Sequence, residues 1–93
     1  MVPLTIEKEK IPYLSFPEGA LPKAQHTLLE LTSKLLRAML LGDNGRNKCS
    51  IIFKDLEGLK KVIATIRSFD SRYVNLKGGI TLSLNNIEDV IIS

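Results

Sequence analysis

The chain has 93 residues, 13 Lys and Arg against 10 Asp and Glu for a formal charge of +3, 44% apolar residues, one cysteine and no tryptophan. That length admits one small domain, which hides only about 60 to 65% of the surface its unfolded chain exposes, and a large buried active site does not fit in it. With 25% of residues charged, the balance is that of an ordinary globular domain, which excludes a disordered or low-complexity chain.

Residues 1–23 hold all four prolines (Pro3, Pro12, Pro17, Pro22) and two of the five aromatic residues, Tyr13 and Phe16. Proline at that spacing interrupts helices and central strands, so an irregular arm is expected, with Leu4 and Ile6 alternating as a short edge strand would. Tyr13, Leu14 and Phe16 are expected to fasten the arm to a single domain spanning 24–93.

From Ala24 to Leu41 the apolar spacing becomes helical, with Pro22 and Lys23 at its start and a turn of Gly42, Asp43, Asn44 and Gly45 beyond its end. At 100° per residue, Leu28, Leu29, Leu31, Leu35, Leu36, Met39 and Leu40 occupy an arc of about 180°, opposite His26, Glu30, Ser33, Lys34 and Arg37. A helix docked on one sheet needs an apolar face of about 100° or somewhat more. Part of this one should therefore meet a second surface, the arm or another subunit, and Leu29, Leu36 and Leu40 form the candidate interaction face. His26, Glu30 and Lys34, spaced four apart, read as a surface pairing network.

The period then shifts to two. Cys49, Ile51 and Phe53 alternate with Ser50, Ile52 and Lys54, and Asp55 to Gly58 supply a hairpin turn. A second strand is expected from about Leu59 to Phe69. Its centre, Val62 to Ile66, is apolar on nearly both faces, as where a long strand bends and serves two layers. Asp70, Ser71 and Arg72 turn the chain into Tyr73 to Lys77, and Gly78 and Gly79 read as a tight turn rather than a phosphate cradle. Ile80 to Leu84 and Ile87 to Ile92 follow, broken by Asn85 and Asn86. The expected fold is α+β, mainly β: helix 24–41, then a curled antiparallel sheet over 48–92 forming a small barrel of four or five strands.

Chemistry-bearing groups are sparse. A nucleophile needs a base beside it, and the chain has one histidine, on the polar side of the helix. No cysteine pair offers itself to zinc, and Glu88 and Asp89 fall on opposite faces of an extended segment. The expectation is a protein that is not an enzyme and holds no metal or cofactor. Cys49 has no partner for a disulfide and reads as a small buried hydrophobe, which suits a reducing compartment. The opening MVPLTIEKEK alternates in sign, and apolar runs reach about four residues against about 20 for a membrane span. A soluble, cytoplasmic protein with no membrane partner is expected. Between residues 60 and 77, Lys60, Lys61, Arg67, Arg72 and Lys77 stand against a single acid, Asp70. Such a stretch suits an anionic partner or the solvated face of a strand.

The order of helix, strand, long bent strand, Asp-containing turn, strand ending in Leu and Lys, and a final Asn-Asn-Ile step over residues 25–92 resembles the Sm-like family, which includes the bacterial RNA chaperone Hfq. Ile66, Ser68, Phe69 and Asp70 resemble the end of its first motif and Val74, Asn75 and Leu76 the following strand, with the asparagine one position late. Leu82, Asn85, Asn86, Ile87 and Val90 resemble its second motif. The turn Leu76, Lys77, Gly78, Gly79 and the alternation after it are also similar to a group of small uncharacterised bacterial proteins.

The family resemblance implies an Sm-like or SH3-like barrel, single-stranded RNA as partner and a ring-shaped homo-oligomer built by pairing strand edges. It places Arg72 and Tyr73 where the family stacks a side chain on a base. Tyr73 as a rim residue and Arg72 as a partner of Asp70 are the plainer alternative. Two family features are replaced. Ser83, Leu84 and Asn85 stand where the family has a basic base-contacting pair, and Ala64 stands where it has the glycine that lets the long strand bend.

The leading expectation is therefore a binding module contacting single-stranded RNA through Arg67, Arg72, Tyr73, Asn75 and Lys77. The rival is a protein-interaction or self-assembly module that uses Leu29, Leu36, Leu40 and exposed strand edges.

Overall fold

The period-two stretch that begins at Cys49 forms the strand around which the fold is arranged. The computed structural model describes residues 2–17, 23–41 and 48–92. In chain order these form β1 (Leu4–Ile6), a 3-10 helix (Lys8–Tyr13), α1 (Gln25–Leu41), β2 (Cys49–Asp55), β3 (Gly58–Ala64), β4 (Ile66–Phe69), β5 (Tyr73–Leu76), β6 (Ile80–Ser83), a 3-10 turn (Leu84–Asn86) and β7 (Ile87–Ile92). The expected turn at Gly42 to Gly45 and the helix-initiating Pro22 lie outside the described residues.

Turn chemistry separates the strands. Asp55 Oδ1 accepts the amides of Glu57 at 2.8 Å and Gly58 at 3.0 Å, and Gly58 takes a φ of +132°, so β2 and β3 are joined through Leu56 and Glu57. Gly78 and Gly79, at φ +99° and +80°, close the β5–β6 hairpin, as expected where only glycine adopts positive φ without strain.

The strands form two sheets, one in the order β1-β3-β2-β7 and one in the order β4-β5-β6. The expected long strand links them by changing partners. Its first half runs antiparallel to β2, ending at Ala64 opposite Cys49. At the next residue the Thr65 carbonyl accepts the Lys77 amide at 2.9 Å, and Ile66 then pairs with Leu76. The expected bend is thus a division into β3 and β4. This division, and the arm strand β1 pairing in parallel with β3, raise the four or five strands of the sequence reading to seven among the described residues. Among the described residues the sheets do not close into a continuous barrel, because β6 pairs only with β5 and β7 only with β2.

One core lies between the sheets. Ile51, Phe53, Val62, Val74, Leu82 and Ile87 are buried in it, and α1 contributes Leu31, Leu35 and Ala38. Cys49 is buried too, its Sγ donating to the Ala64 carbonyl at 3.5 Å, and burial pushes its thiol pKa up. The helix is further held by Lys34 Nζ donating to Asp89 Oδ1 of β7 at 2.7 Å. Asp89 therefore takes the partner role the spacing gave to Glu30, and among the described residues the His26 side chain makes no hydrogen bond or ion pair. The core takes only part of the apolar arc: Leu29, Leu36 and Leu40 are 62%, 48% and 64% exposed. No helix is long and apolar enough to cross a membrane among the described residues.

The arm folds back onto the domain. Ile11 enters the core at 2% exposure, the Leu56 amide donates to the Ser15 carbonyl at 2.9 Å, and the Phe16 and Phe53 rings stand 6.1 Å apart, tilted by 41°. Tyr13, expected to help fasten the arm, is 85% exposed. The 3-10 helix directs Ile11 inward, which leaves Tyr13 on the outside.

Lys60 is a second correction. Its place on β3, two residues before buried Val62, turns it inward, where it meets Asp55: its ammonium lies 3.1 Å from Oδ2 and donates to Oδ1 at 3.2 Å. Both residues are buried. Oδ2 makes no hydrogen bond of good geometry and relies on that ion pair. Burial pushes the Asp55 carboxyl up, but the Lys60 ammonium and the Glu57 and Gly58 amides outweigh it and hold the pKa below its ordinary 3.8.

Two stability experiments follow from this packing. In urea unfolding, Ile11→Ala should cost about 2 to 4 kcal/mol and Tyr13→Ala less than about 0.5 kcal/mol. Lys60→Ala, which strands a buried carboxylate, should cost about 3 kcal/mol. A carboxyl whose pKa falls on folding contributes stability that is complete above the unfolded value and is lost as pH drops through the folded one. The wild type should therefore lose more stability than Asp55→Asn as pH is lowered below about 4.

Candidate nucleic-acid interface

The second sheet presents one face to the core and one to solvent. Val74, Leu76 and Leu82 are buried, so the alternate positions of β5 and β6 lie on the outer face. Tyr73, 48% exposed, and Asn75 occupy that face on β5, and exposed Lys77 continues the alternation just beyond the strand. On β4 the register pairs Ile66 with Leu76 and then Ser68 with Asn75. Arg67 is the extra residue of a bulge, and both it and Ser68 are exposed. The bulge lets Phe69 return inward opposite Val74 while an arginine is added to the outer surface. The structure thus brings Arg67, Tyr73, Asn75 and Lys77 onto one face.

Asn75 is committed to that face structurally. Its Nδ2 donates to Ser68 Oγ at 2.9 Å, and its Oδ1 accepts from Thr81 Oγ1 at 3.1 Å. This polar row crosses all three strands and fixes the amide plane. A ligand can meet the amide edge-on, but hydrogen-bonding through its inner groups would cost the row.

Arg72 sits apart from the strands, in the turn between β4 and β5. Asp70 Oδ1 accepts the Arg72 and Tyr73 amides, each at 2.7 Å, and the Asp70 amide donates to the Tyr73 carbonyl at 2.9 Å. These two amides hold the Asp70 carboxyl below its ordinary pKa, with the Arg72 charge adding to the effect. The expected Asp70 partnership therefore runs through the Arg72 backbone, leaving the guanidinium exposed. The Arg72 carbonyl in turn accepts the Leu84 amide at 2.8 Å, which sets Asn85 and Asn86 near the same turn.

Arg67, Arg72 and Lys77 have no salt bridge among the described residues, and Asp70 is the only acid between residues 66 and 83. Lys60, counted with them in the sequence, is withdrawn by Asp55. Two other lysines enter instead. An open cleft of about 390 Å³ between the arm and the β3–β4 division is lined by Lys8, Lys48 and Lys77, with Glu7 and Glu9 on the arm side. The Lys8 ammonium lies 3.5 Å from where a Cβ on Gly78 would stand, so the glycine turn accommodates the lysine. Lys8 and Lys48 had no signal in the sequence, because each is distant along the chain from Lys77 and only the docked arm joins them.

Comparison with family models, with curated proteins and with solved structures gives no match to this chain. Among the described residues no group of three or more His, Cys, Asp and Glu side chains is placed to hold a metal.

The turn offers a local check on this geometry. Asp70→Ala should speed amide hydrogen exchange at Arg72 and Tyr73 relative to the rest of β5, whereas Asp70→Asn, which keeps an oxygen acceptor, should leave both closer to wild type.

Proposed function

We propose that this chain is a non-enzymatic, cytoplasmic binding module that contacts single-stranded RNA through Arg67, Arg72, Tyr73, Asn75 and Lys77. The observation that carries the reading is one exposed sheet face on which an arginine, a lysine and a half-exposed tyrosine lie together, beside an arginine held out by a turn. Cations there meet phosphates, and the phenol ring or the Arg72 guanidinium stacks on an unpaired base, an interaction worth about 1 to 3 kcal/mol.

The reading includes kinship with the Sm-like family, and a small SH3-like barrel as the parent form of the two sheets. Support comes from the order of elements after α1, from a long strand that serves both sheets, from the 3-10 turn before the last strand, and from the pairing of β7 with β2. The free edges of β6 and β7 suit the strand-edge pairing by which Sm-like subunits form rings.

A second reading, a self-assembly or protein-interaction module, is favoured by one observation: Leu29, Leu36 and Leu40 stay exposed while Leu31, Leu35 and Ala38 of the same helix are buried.

Filter binding to U-rich and A-rich RNA tests the first reading. If Arg67, Arg72 and Lys77 each neutralise one phosphate, log affinity should fall with log salt at a slope of about −2, and Arg72→Ala should make it shallower by about 0.7. Tyr73→Ala should weaken binding by about 1 to 3 kcal/mol with little change in slope. No retention of either RNA at low salt overturns the proposal.

A further inference from the structure

The core takes one stripe of α1, centred on Leu31, Leu35 and Ala38. A second stripe, Leu29, Ser33, Leu36 and Leu40, lies well round the helix from the first and faces outward. Its steps of four, three and four residues are those of a coiled-coil seam, in which alternate positions of one helix fit between those of another. Among the described residues, exposed leucines at such a spacing are not accounted for by packing against the sheets, nor by the arm, whose buried apolar contacts go to Phe53 and the core.

The flanks of the stripe indicate what fits it. Exposed Glu30 and Arg37 lie on the same side of the seam, about two turns apart, beside an open groove of about 320 Å³ lined by Glu30, Ser33, Lys34 and Arg37. The opposite flank is neutral, with Gln25, Thr32 and Met39. In an antiparallel pair of such helices like flanks meet, so Glu30 stands against Arg37 of the other helix, and the twofold axis repeats the contact. In a parallel pair unlike flanks meet, and the same two charges would face Gln25 and Thr32. The seam is self-complementary in size as well. About the same axis Leu29 opposes Leu40, and small Ser33 leaves room for Leu36.

We infer that α1 pairs antiparallel with α1 of a second copy of this chain, through Leu29, Ser33, Leu36 and Leu40, with Glu30 and Arg37 setting direction and register. This inference rests on the self-assembly reading and names its partner; it uses a different surface from the RNA contact, which is proposed for the outer face of β4-β5-β6. The helix has 17 residues and is about 25 Å long. A single helix pair of that length lies near the small end of specific interfaces, about 1,000 Å² in total. A weak, readily reversible dimer is expected.

Sedimentation equilibrium of the full chain tests this, after nuclease treatment so that nucleic acid does not bridge copies. Wild type should show a concentration-dependent monomer–dimer equilibrium. Leu36→Glu should weaken it at least about tenfold, since it buries a charge in the seam. Glu30→Arg should weaken it roughly fivefold by setting two cations together, and the exchanged pair Glu30→Arg with Arg37→Glu should restore it to within about twofold. All three sites are exposed, so circular dichroism should report an unchanged fold, and if Leu36→Glu does disturb folding the charge exchange decides alone. A dimer that survives Leu36→Glu in a folded variant, or a charge exchange that fails to restore association, overturns helix pairing while leaving self-assembly through another surface open. A monomer at every concentration overturns both.

Discussion

The fold depends on one exchange of hydrogen-bond partners. At Ala64 the chain still pairs with β2, opposite Cys49; at Thr65 its carbonyl already serves the β5 side through the Lys77 amide. A backbone cannot leave its donors and acceptors unmatched inside a small core, so a strand that departs from one sheet must enter another within a residue or two. That requirement fixes where the second sheet begins and which of its faces is turned inward. Ala64 is buried at the exchange, and the Cys49 thiol lies against its carbonyl. The small side chains permit the close approach that the crossing requires.

From that exchange the charged surface follows. With Leu76 and Val74 inward, the alternate residues of β5 have nowhere to go but the solvent face, and the β4 bulge adds Arg67 to them. The same alternation on β3 sends Lys60 the other way, into a buried pair with Asp55. One run of basic residues in the sequence is thereby divided between a structural pair and a surface. Coulomb attraction in the interior holds the first, whereas the second is solvated and open to an anionic ligand. Asn75, read in the sequence as a contact, is also the middle of a hydrogen-bonded row that stiffens the face carrying the others.

The helix divides its leucines in a comparable way. The core takes one stripe, Leu31, Leu35 and Ala38, where the helix packs against β7 and β4, and Lys34 adds an exposed ion pair to Asp89. Leu29, Leu36 and Leu40 stay outside that core. Among the described residues, the apolar side chains of the arm that are buried go elsewhere: Ile11 in the core, Phe16 against Phe53.

The sequence by itself determined the local elements, because these rest on near-neighbour physics. Helical spacing marked α1, period two marked the strands, and Asp55, Asp70 and the Gly78–Gly79 pair marked turns whose amides and φ angles need those residues. Even the shared long strand was legible, in the run from Val62 to Ile66 that is apolar on nearly both faces. Only the tertiary structure decided that this run divides into two strands without closing a barrel, that the arm adds a parallel strand and inserts Ile11 rather than Tyr13, that Lys60 is lost to the surface, and that Lys8 and Lys48 come to lie beside Lys77. Each of these depends on groups far apart in the chain competing for one partner or one volume, and composition and periodicity carry no record of who wins that competition.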